Sequence, residues 1–301
     1  MSEAVELRDG EDALAVVHPD LGAWLTRYAR QLPGRGWVDA LHHDEAVVAR
    51  YPDRMWAGAP VLFPHVSYNV AEGHEGRYVL NGTSYESPQH GFARRVPWTV
   101  VDRSAASVTL ELRDSERTRP SYPFAFRHRL TYRLESGRLV WHQMVENRDQ
   151  QPLPFSAGFH PYLRVPLAGT ERNRCVVRLP RCRRFHPVDQ ASAFFDEPLP
   201  AQDLSIATDA SGTLFLGELA SREVALRDPV GGVEVALQLG DNPAYRFLAL
   251  WAPDTTAPFF CIEPWTALPN SFGRGDGELV VLKPGEHFEA SLSLELRPMT
   301  R

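Results

Sequence analysis

The sequence predicts an all-β protein, a sandwich or barrel of antiparallel sheets, on the strength of three observations. Its hydrophobic periodicity is almost everywhere two, so side chains alternate between a buried and a solvated face, as along half-buried strands. Asn81-Gly82 separates two short strand-like runs, and both turn residues tolerate the positive φ that a two-residue hairpin demands. The 25 prolines act mainly as punctuation between these runs, because a residue without an N–H cannot donate to a central ladder.

In chain order, the first clear element is the hairpin Tyr78-Val79-Leu80 and Thr83-Ser84-Tyr85. Strands follow over 106–112 and 126–134, the second with Phe126, His128, Leu130, Tyr132 and Leu134 on one face. Trp98 and Trp141 are expected in the core. Turns are expected at Ser136-Gly137, Gly231-Gly232 and Pro284-Gly285. The segment 181–210 is rich in Arg, Pro and Asp and weakly patterned, which predicts a long loop or lid. In 258–263 the alternation places Phe259, Cys261 and Glu263 on one face, with Pro264 ending the strand. Gly273-Arg274-Gly275-Asp276-Gly277 neither follows a strand nor opens an amphipathic helix, so it reads as a surface loop and not a dinucleotide fingerprint. A last strand over 286–296 aligns Phe288, Ala290, Leu292, Leu294 and Leu296. No repeat or Gly/Ser linker divides the chain, so 1–301 is expected to form a single β domain.

Composition removes several classes of function. A net charge of -6 supplies no basic field for a phosphate backbone or an anionic membrane surface, so nucleic acid is not an expected partner. Mean hydropathy is -0.31, and no apolar run reaches the roughly 18 to 20 residues of a spanning helix. Met1–Asp12 is acidic and lacks the basic and apolar regions of a secretory signal, which points to the cytoplasm. Lys283, in a turn-like Lys-Pro-Gly stretch, is the only lysine, which disfavours Schiff-base catalysis. Cys175, Cys182 and Cys261 form no Cys-x-x-Cys pair, so reduced thiols are expected in place of a zinc ribbon or disulfide framework, with Cys261 buried. His65, His74 and His142 follow no metal-ligand spacing, and Walker A, Gly-x-Ser-x-Gly and His-Glu-x-x-His motifs are absent. Neither metal nor cofactor is implied.

Three segments set ionisable residues among aromatics, glycines and prolines: Pro88-Gln89-His90-Gly91-Phe92-Ala93-Arg94, Gly158-Phe159-His160-Pro161-Tyr162 and Cys261-Ile262-Glu263-Pro264-Trp265. A histidine between Phe and Pro is ordinarily a packed residue. Glu263 is harder to dismiss, since a carboxylate after Phe-Phe-Cys-Ile carries a desolvation cost unless something pairs with it. Pro161 restricts the backbone of His160 to the extended region and so fixes where its imidazole projects.

In this order, together with Gly58-Ala59-Pro60-Val61-Leu62-Phe63-Pro64, Trp98 and the Pro-Gly-Glu turn at 284–286, the segments resemble the aldose 1-epimerase (galactose mutarotase-like) family, including its hexose-6-phosphate epimerase branch. The resemblance implies one large antiparallel β-sandwich (the galactose mutarotase-like supersandwich) with a sugar in a cleft on its concave face. It also implies catalysis without metal or cofactor: Glu263 as general base, His160 as general acid, and His90 near the ring oxygen and hydroxyls. Reference values of about 4.3 for Glu and 6.5 for His let ionised acid and protonated imidazole coexist in mildly acidic solution, and activity at neutral pH would gain from a raised histidine. Asp241, in Gly240-Asp241-Asn242-Pro243, resembles a sugar-binding aspartate, and Arg94 and Gln89 match positions that contact hydroxyls or phosphate. Trp251 and Trp265 are candidates to stack on the pyranose.

One position departs from the family pattern. After Leu62-Phe63-Pro64, relatives usually show a Gly-Arg pair whose arginine reaches the sugar, whereas this chain has His65-Val66-Ser67-Tyr68-Asn69. Tyr68 or Asn69 is expected to replace its hydrogen bonds, though not its charge. The expected partner is therefore a small-molecule sugar or sugar phosphate, and the expected activity mutarotation. A hexose-6-phosphate 1-epimerase and a non-catalytic carbohydrate-binding or sensor protein are the alternatives. A monomer or homodimer is expected.

Overall fold

The computed structural model describes residues 4–299 except 170, 208–211 and 241–242. Among these residues the chain forms two large antiparallel sheets, a four-stranded one and three two-stranded ones, with only short helical turns. The nine-stranded sheet runs, edge to edge, Thr99–Arg103, Ser107–Arg113, Phe126–Glu135, Arg138–Asn147, His287–Pro298, Val233–Gln238, Glu223–Asp228, Val176–Leu179 and Gln202–Ser205. The eight-stranded sheet runs Ala193–Leu199, Cys182–Val188, Leu214–Gly217, Phe247–Trp251, Phe259–Trp265, Gly158–Phe159 and Val61–Leu62, with Tyr162–Arg164 also paired to Phe259–Trp265. Val5–Asp9, Ala13–His18, Trp24–Leu32 and Gly36–Asp39 make the four-stranded sheet.

The period-two readings hold. Asn81 and Gly82 both adopt positive φ, 51° and 78°, and close the hairpin Arg77–Leu80 with Thr83–Glu86. Phe126, His128, Leu130, Tyr132 and Leu134 all face inward, as do Ala290, Leu292, Leu294 and Leu296, while Phe288 is half-buried. The two large sheets meet through Trp141 of one and Phe159 of the other, stacked at 5.4 Å and 11°. His128 belongs to this interior as a neutral polar group: its Nε2 lies 3.2 Å from Gln143 Oε1, and Gln143 Nε2 donates to the Tyr245 hydroxyl at 2.6 Å. Trp98 and Cys261 are buried, and all three cysteines are free thiols.

Two expectations fail. Among the described residues of the segment 181–210 there is no long loop: Cys182–Val188 and Ala193–Leu199 pair over their full length and form one edge of the eight-stranded sheet, and Gln202–Ser205 closes an edge of the other. Both faces of this hairpin are largely solvated, so its side chains lack the alternation that marks a half-buried strand. Pro264 does not end its strand, which continues to Trp265. The neighbouring ladder is interrupted at His160-Pro161, and a residue without an N–H is tolerated beside that break. Gly273 lies in a single helical turn, Ser271–Arg274, with Gly275 and Gly277 in the loop beyond. No helix of the described residues is long and apolar enough to cross a membrane.

Candidate active site

The strand Phe259–Trp265 divides its side chains between two environments. Phe260 and Ile262 join the main core between the sheets. Phe259 and Cys261 pack in a separate cluster, and Trp265 in another, on the face that also carries Glu263. That face floors a cavity of about 510 Å³, large enough for a monosaccharide.

Eight residues singled out from the sequence line this cavity: Glu263, His160, His90, Arg94, Gln89, Tyr68, Trp251 and Trp265. Nε2 of His160 lies 3.3 Å from Oε2 of Glu263. The His160 ring is stacked on Tyr162 at 4.5 Å and 7°, and His90 meets it edge-on at 5.2 Å. Trp251 and Trp265 stand edge-on to the two imidazoles, the first to His160 and the second to His90. Arg94 occupies the short turn Ala93–Arg95 beside the motif that bears His90; its Nη2 donates to the Gln89 carbonyl at 3.0 Å.

Asn69 is not in the cavity wall. It is buried behind it, with Oδ1 accepting the Phe272 N–H at 3.1 Å, so it cannot supply the missing arginine's contacts. Asp241 lies outside the described residues.

Sequence reading missed part of the wall. Trp56 meets Trp251 edge-on at 5.5 Å, and the Arg54 guanidinium lies 3.7 Å from the centre of the Trp56 ring. Both line the cavity, with Asp53 and Phe215; Arg95, whose charge beside Arg94 suits a phosphate, and Tyr162 of the His160 segment line it too, as sequence reading allowed. Arg54 and Trp56 immediately precede the Gly58-Ala59-Pro60 motif, a proximity that was available as a signal; Phe215 had none.

Burial governs the electrostatics. It pushes Glu263 well above the usual carboxylate range, against the opposing pull of Arg94. It holds His160 and His90 well below the ordinary imidazole value, with Arg94 adding to the effect in both. The expected raised histidine is thereby corrected: desolvation disfavours imidazolium here, and the nearby guanidinium repels it. Arg94 itself is lowered to about 10 by burial. Glu263 Oε2, His160 Nδ1, Arg94 Nε and Trp265 Nε1 are buried without a hydrogen-bond partner. Such a concentration of unpaired polar atoms in one cavity marks a ligand site. Among the described residues, the side-chain nitrogens and oxygens of His90, His160 and Glu263 lie within 4.8 Å of one another.

A strand-built cavity with a buried carboxyl group beside two imidazoles, and with aromatic walls, is a candidate small-molecule site of the acid–base type. The family model described as aldose 1-epimerase matches residues 3–295, and the chain belongs to that family. Among curated relatives, the LacX protein of Lactococcus lactis is 25% identical over 202 residues, a match spanning 62% of this chain and 66% of LacX, just under two thirds of its length. Solved structures show the same fold at lower identity. Slr1438 of Synechocystis sp. PCC 6803 superposes with a TM-score of 0.82 at 23% identity, over 99% of this chain and 96% of its own. A galactose mutarotase related enzyme of Lactobacillus acidophilus gives 0.81 at 23%, over 99% and 98%.

Proposed function

We propose that the protein is a cofactor-independent aldose 1-epimerase that interconverts the α and β anomers of a sugar. The observation that carries this reading is the carboxyl and imidazole pair, 3.3 Å apart in a cavity of monosaccharide size and each with an unpaired buried atom. Anomer exchange needs a proton removed from the C1 hydroxyl and another delivered to the ring oxygen. The ring then opens, the aldehyde turns about its C1–C2 bond, and closure reverses both transfers. Glu263 is the base for the hydroxyl and His160 the acid for the ring oxygen. Each positioned group contributes about 10²–10⁴-fold in rate, ample for a reaction that already proceeds slowly in water.

The opposed pKa directions fit this role once the pair is treated as a unit. A raised carboxyl and a lowered imidazole hold one proton between them over a wide pH range, with that proton on Glu263. Moving it to His160 creates the working form without exchange with solvent. A sugar that donates its C1 hydroxyl to the carboxylate and accepts at its ring oxygen stabilises that form, because hydrogen bonds to charged groups are the stronger ones.

A second reading, a hexose 6-phosphate as substrate, is supported by the cationic side of the cavity. Arg54, Arg94 and Arg95 line it, and Arg95 Nε is buried without a partner. Saturation-transfer NMR across aldoses and their 6-phosphates tests both. Acceleration of a free aldose supports the first; acceleration confined to the phosphates replaces it with the second. Binding of sugar without any change in exchange rate removes both and leaves a carbohydrate-binding protein.

A further inference from the structure

We propose that His90 is a permanently neutral hydrogen-bond donor, locked in its Nε2–H tautomer by a two-bond clamp with Ser67, that holds an oxygen of the guest without trading protons with it. The inference deepens the mutarotase reading, on which its kinetic consequence rests, but the tautomer itself follows from the protein alone.

The clamp is reciprocal. The His90 N–H donates to the Ser67 carbonyl at 2.6 Å, and the Ser67 N–H donates to His90 Nδ1 at 2.9 Å. An amide N–H has one proton to give and accepts nothing, so the nitrogen opposite it must be bare. A neutral imidazole with a bare Nδ1 carries its proton on Nε2. Turning the ring over would set a C–H against the Ser67 N–H and abandon the bond. Protonating Nδ1 would set two donors face to face.

The backbone is bent to make this arrangement. His90 and Ser67 both adopt left-handed conformations, φ 65° and 53°, which residues with a Cβ rarely hold without compensation. Gly91 follows at φ 70°, where an added Cβ would fall 2.2 Å from the Phe63 carbonyl oxygen; only glycine lets the chain pass so close. Strain at two linked positions, beside a glycine that permits the close approach, gives the imidazole one orientation in the cavity wall.

The surroundings oppose a second proton from every side. Arg94 and Arg95 lie on the adjoining turn, His160 on the neighbouring sheet segment and His65 behind, and each electrostatically disfavours imidazolium at His90. Glu263 is the acidic member of the cluster, and burial favours its neutral form. His160 differs from His90 in the way that matters: its Nε2 faces Glu263 Oε2 at 3.3 Å, a contact across which a proton can pass, whereas the tautomer of His90 is set by the backbone N–H at its Nδ1. Of the two imidazoles, one is free to move a proton and the other only lends one. The locked proton also makes His90 a poor metal ligand, because metallation of Nε2 would drive the proton onto Nδ1, against Ser67.

The test is long-range ¹H–¹⁵N NMR on protein with ¹⁵N-labelled histidine, with the His90 ring assigned by comparison with His90→Gln. A protonated Nε2 and a bare Nδ1, unchanged between about pH 5 and 8, is the expected result. An Nδ1–H tautomer or a titrating ring in that range overturns the clamp, whether or not the protein proves to be a mutarotase. Kinetics supply the second arm. His90→Gln keeps an N–H and is expected to stay within about tenfold of wild-type kcat/KM, whereas His90→Phe loses about 10²–10³-fold, the usual cost of removing a preorganised donor. Both should leave the pH limbs in place. Equal activity of the two variants, or a limb lost in His90→Gln, would show that His90 is not such a donor.

Discussion

His160 stands directly across the sheet from Glu263. Gly158 pairs with Trp265 and Tyr162 with Cys261, so the register carried between them places His160 opposite Glu263. Directly opposed residues of an antiparallel pair project on the same face. The ladder breaks at this point, Nε2 comes to 3.3 Å from Oε2, and the two side chains meet over the cavity floor. Residues far apart in the chain are brought together as a carboxyl–imidazole pair through strand register, which is set over the whole sheet and resists local drift.

Glu263→Gln is expected to lower the anomer-exchange rate by at least about 10²-fold. The same variant should alter stability with a definite sign. The folded protein holds the Glu263 proton more tightly than the unfolded chain, whose carboxyl titrates near 4.3. As pH rises past that value the unfolded chain releases a proton that the native state keeps, so the wild type loses stability with rising pH. Glutamine lacks this term. Thermal unfolding at pH 4.5 and 8 should show the variant gaining on wild type at the higher pH; a constant difference would mean that Glu263 ionises normally.

Acid should weaken the protein through its buried histidines. Burial lowers His65 to about 4 and His128 to about 3, and places His90 and His160 well below 6.5. Their stabilising contribution is present above about pH 6.5 and is lost as pH falls toward the folded values, because the unfolded chain gains protons first. For His65 the slope is about 1.4 kcal/mol per pH unit between about 6.5 and 4. Urea unfolding of His65→Gln, which retains a group able to bond the Ser87 hydroxyl, should show a shallower pH dependence than wild type.

Arg94→Met should move the pH–rate profile to higher pH. The guanidinium depresses Glu263, His160 and His90 together, so its removal raises all three. Loss of rate without displacement of the profile would assign Arg94 to substrate contact alone.

Phe159→Ala should destabilise the protein by about 3–5 kcal/mol, the usual cost of emptying a large aromatic site in a core. Phe159 stacks on Trp141 across the two sheets and is followed immediately by His160. Denaturant titration measures the loss of stability, and a value under about 1 kcal/mol would mean that the sheets are held elsewhere.

Much of the wall was legible from residue types. Glu263 after four apolar residues, and imidazoles beside glycine and proline, are costly or constrained placements that announce themselves. Asn69 misled because its adjacency to Tyr68 says nothing about direction: Tyr68 lines the cavity, while Asn69 holds the Phe272 amide. The hairpin over 182–199 was hidden because exposure of both faces erases alternation. Phe215 was invisible for another reason, since its place beside Trp265 arises only when its strand joins the sheet.

The sequence by itself determined the strand-rich class, the hairpin at Asn81-Gly82, the inward faces of the long strands and the residue types able to do acid–base work. These depend on local sterics and on a period of two, which neighbouring residues encode directly. Only the tertiary structure decided that burial favours the neutral form of Glu263 and of the buried histidines, and that His90 is clamped by Ser67. Protonation follows the surroundings of a group, and at this site those surroundings are assembled from segments that adjoin only after the sheets have formed.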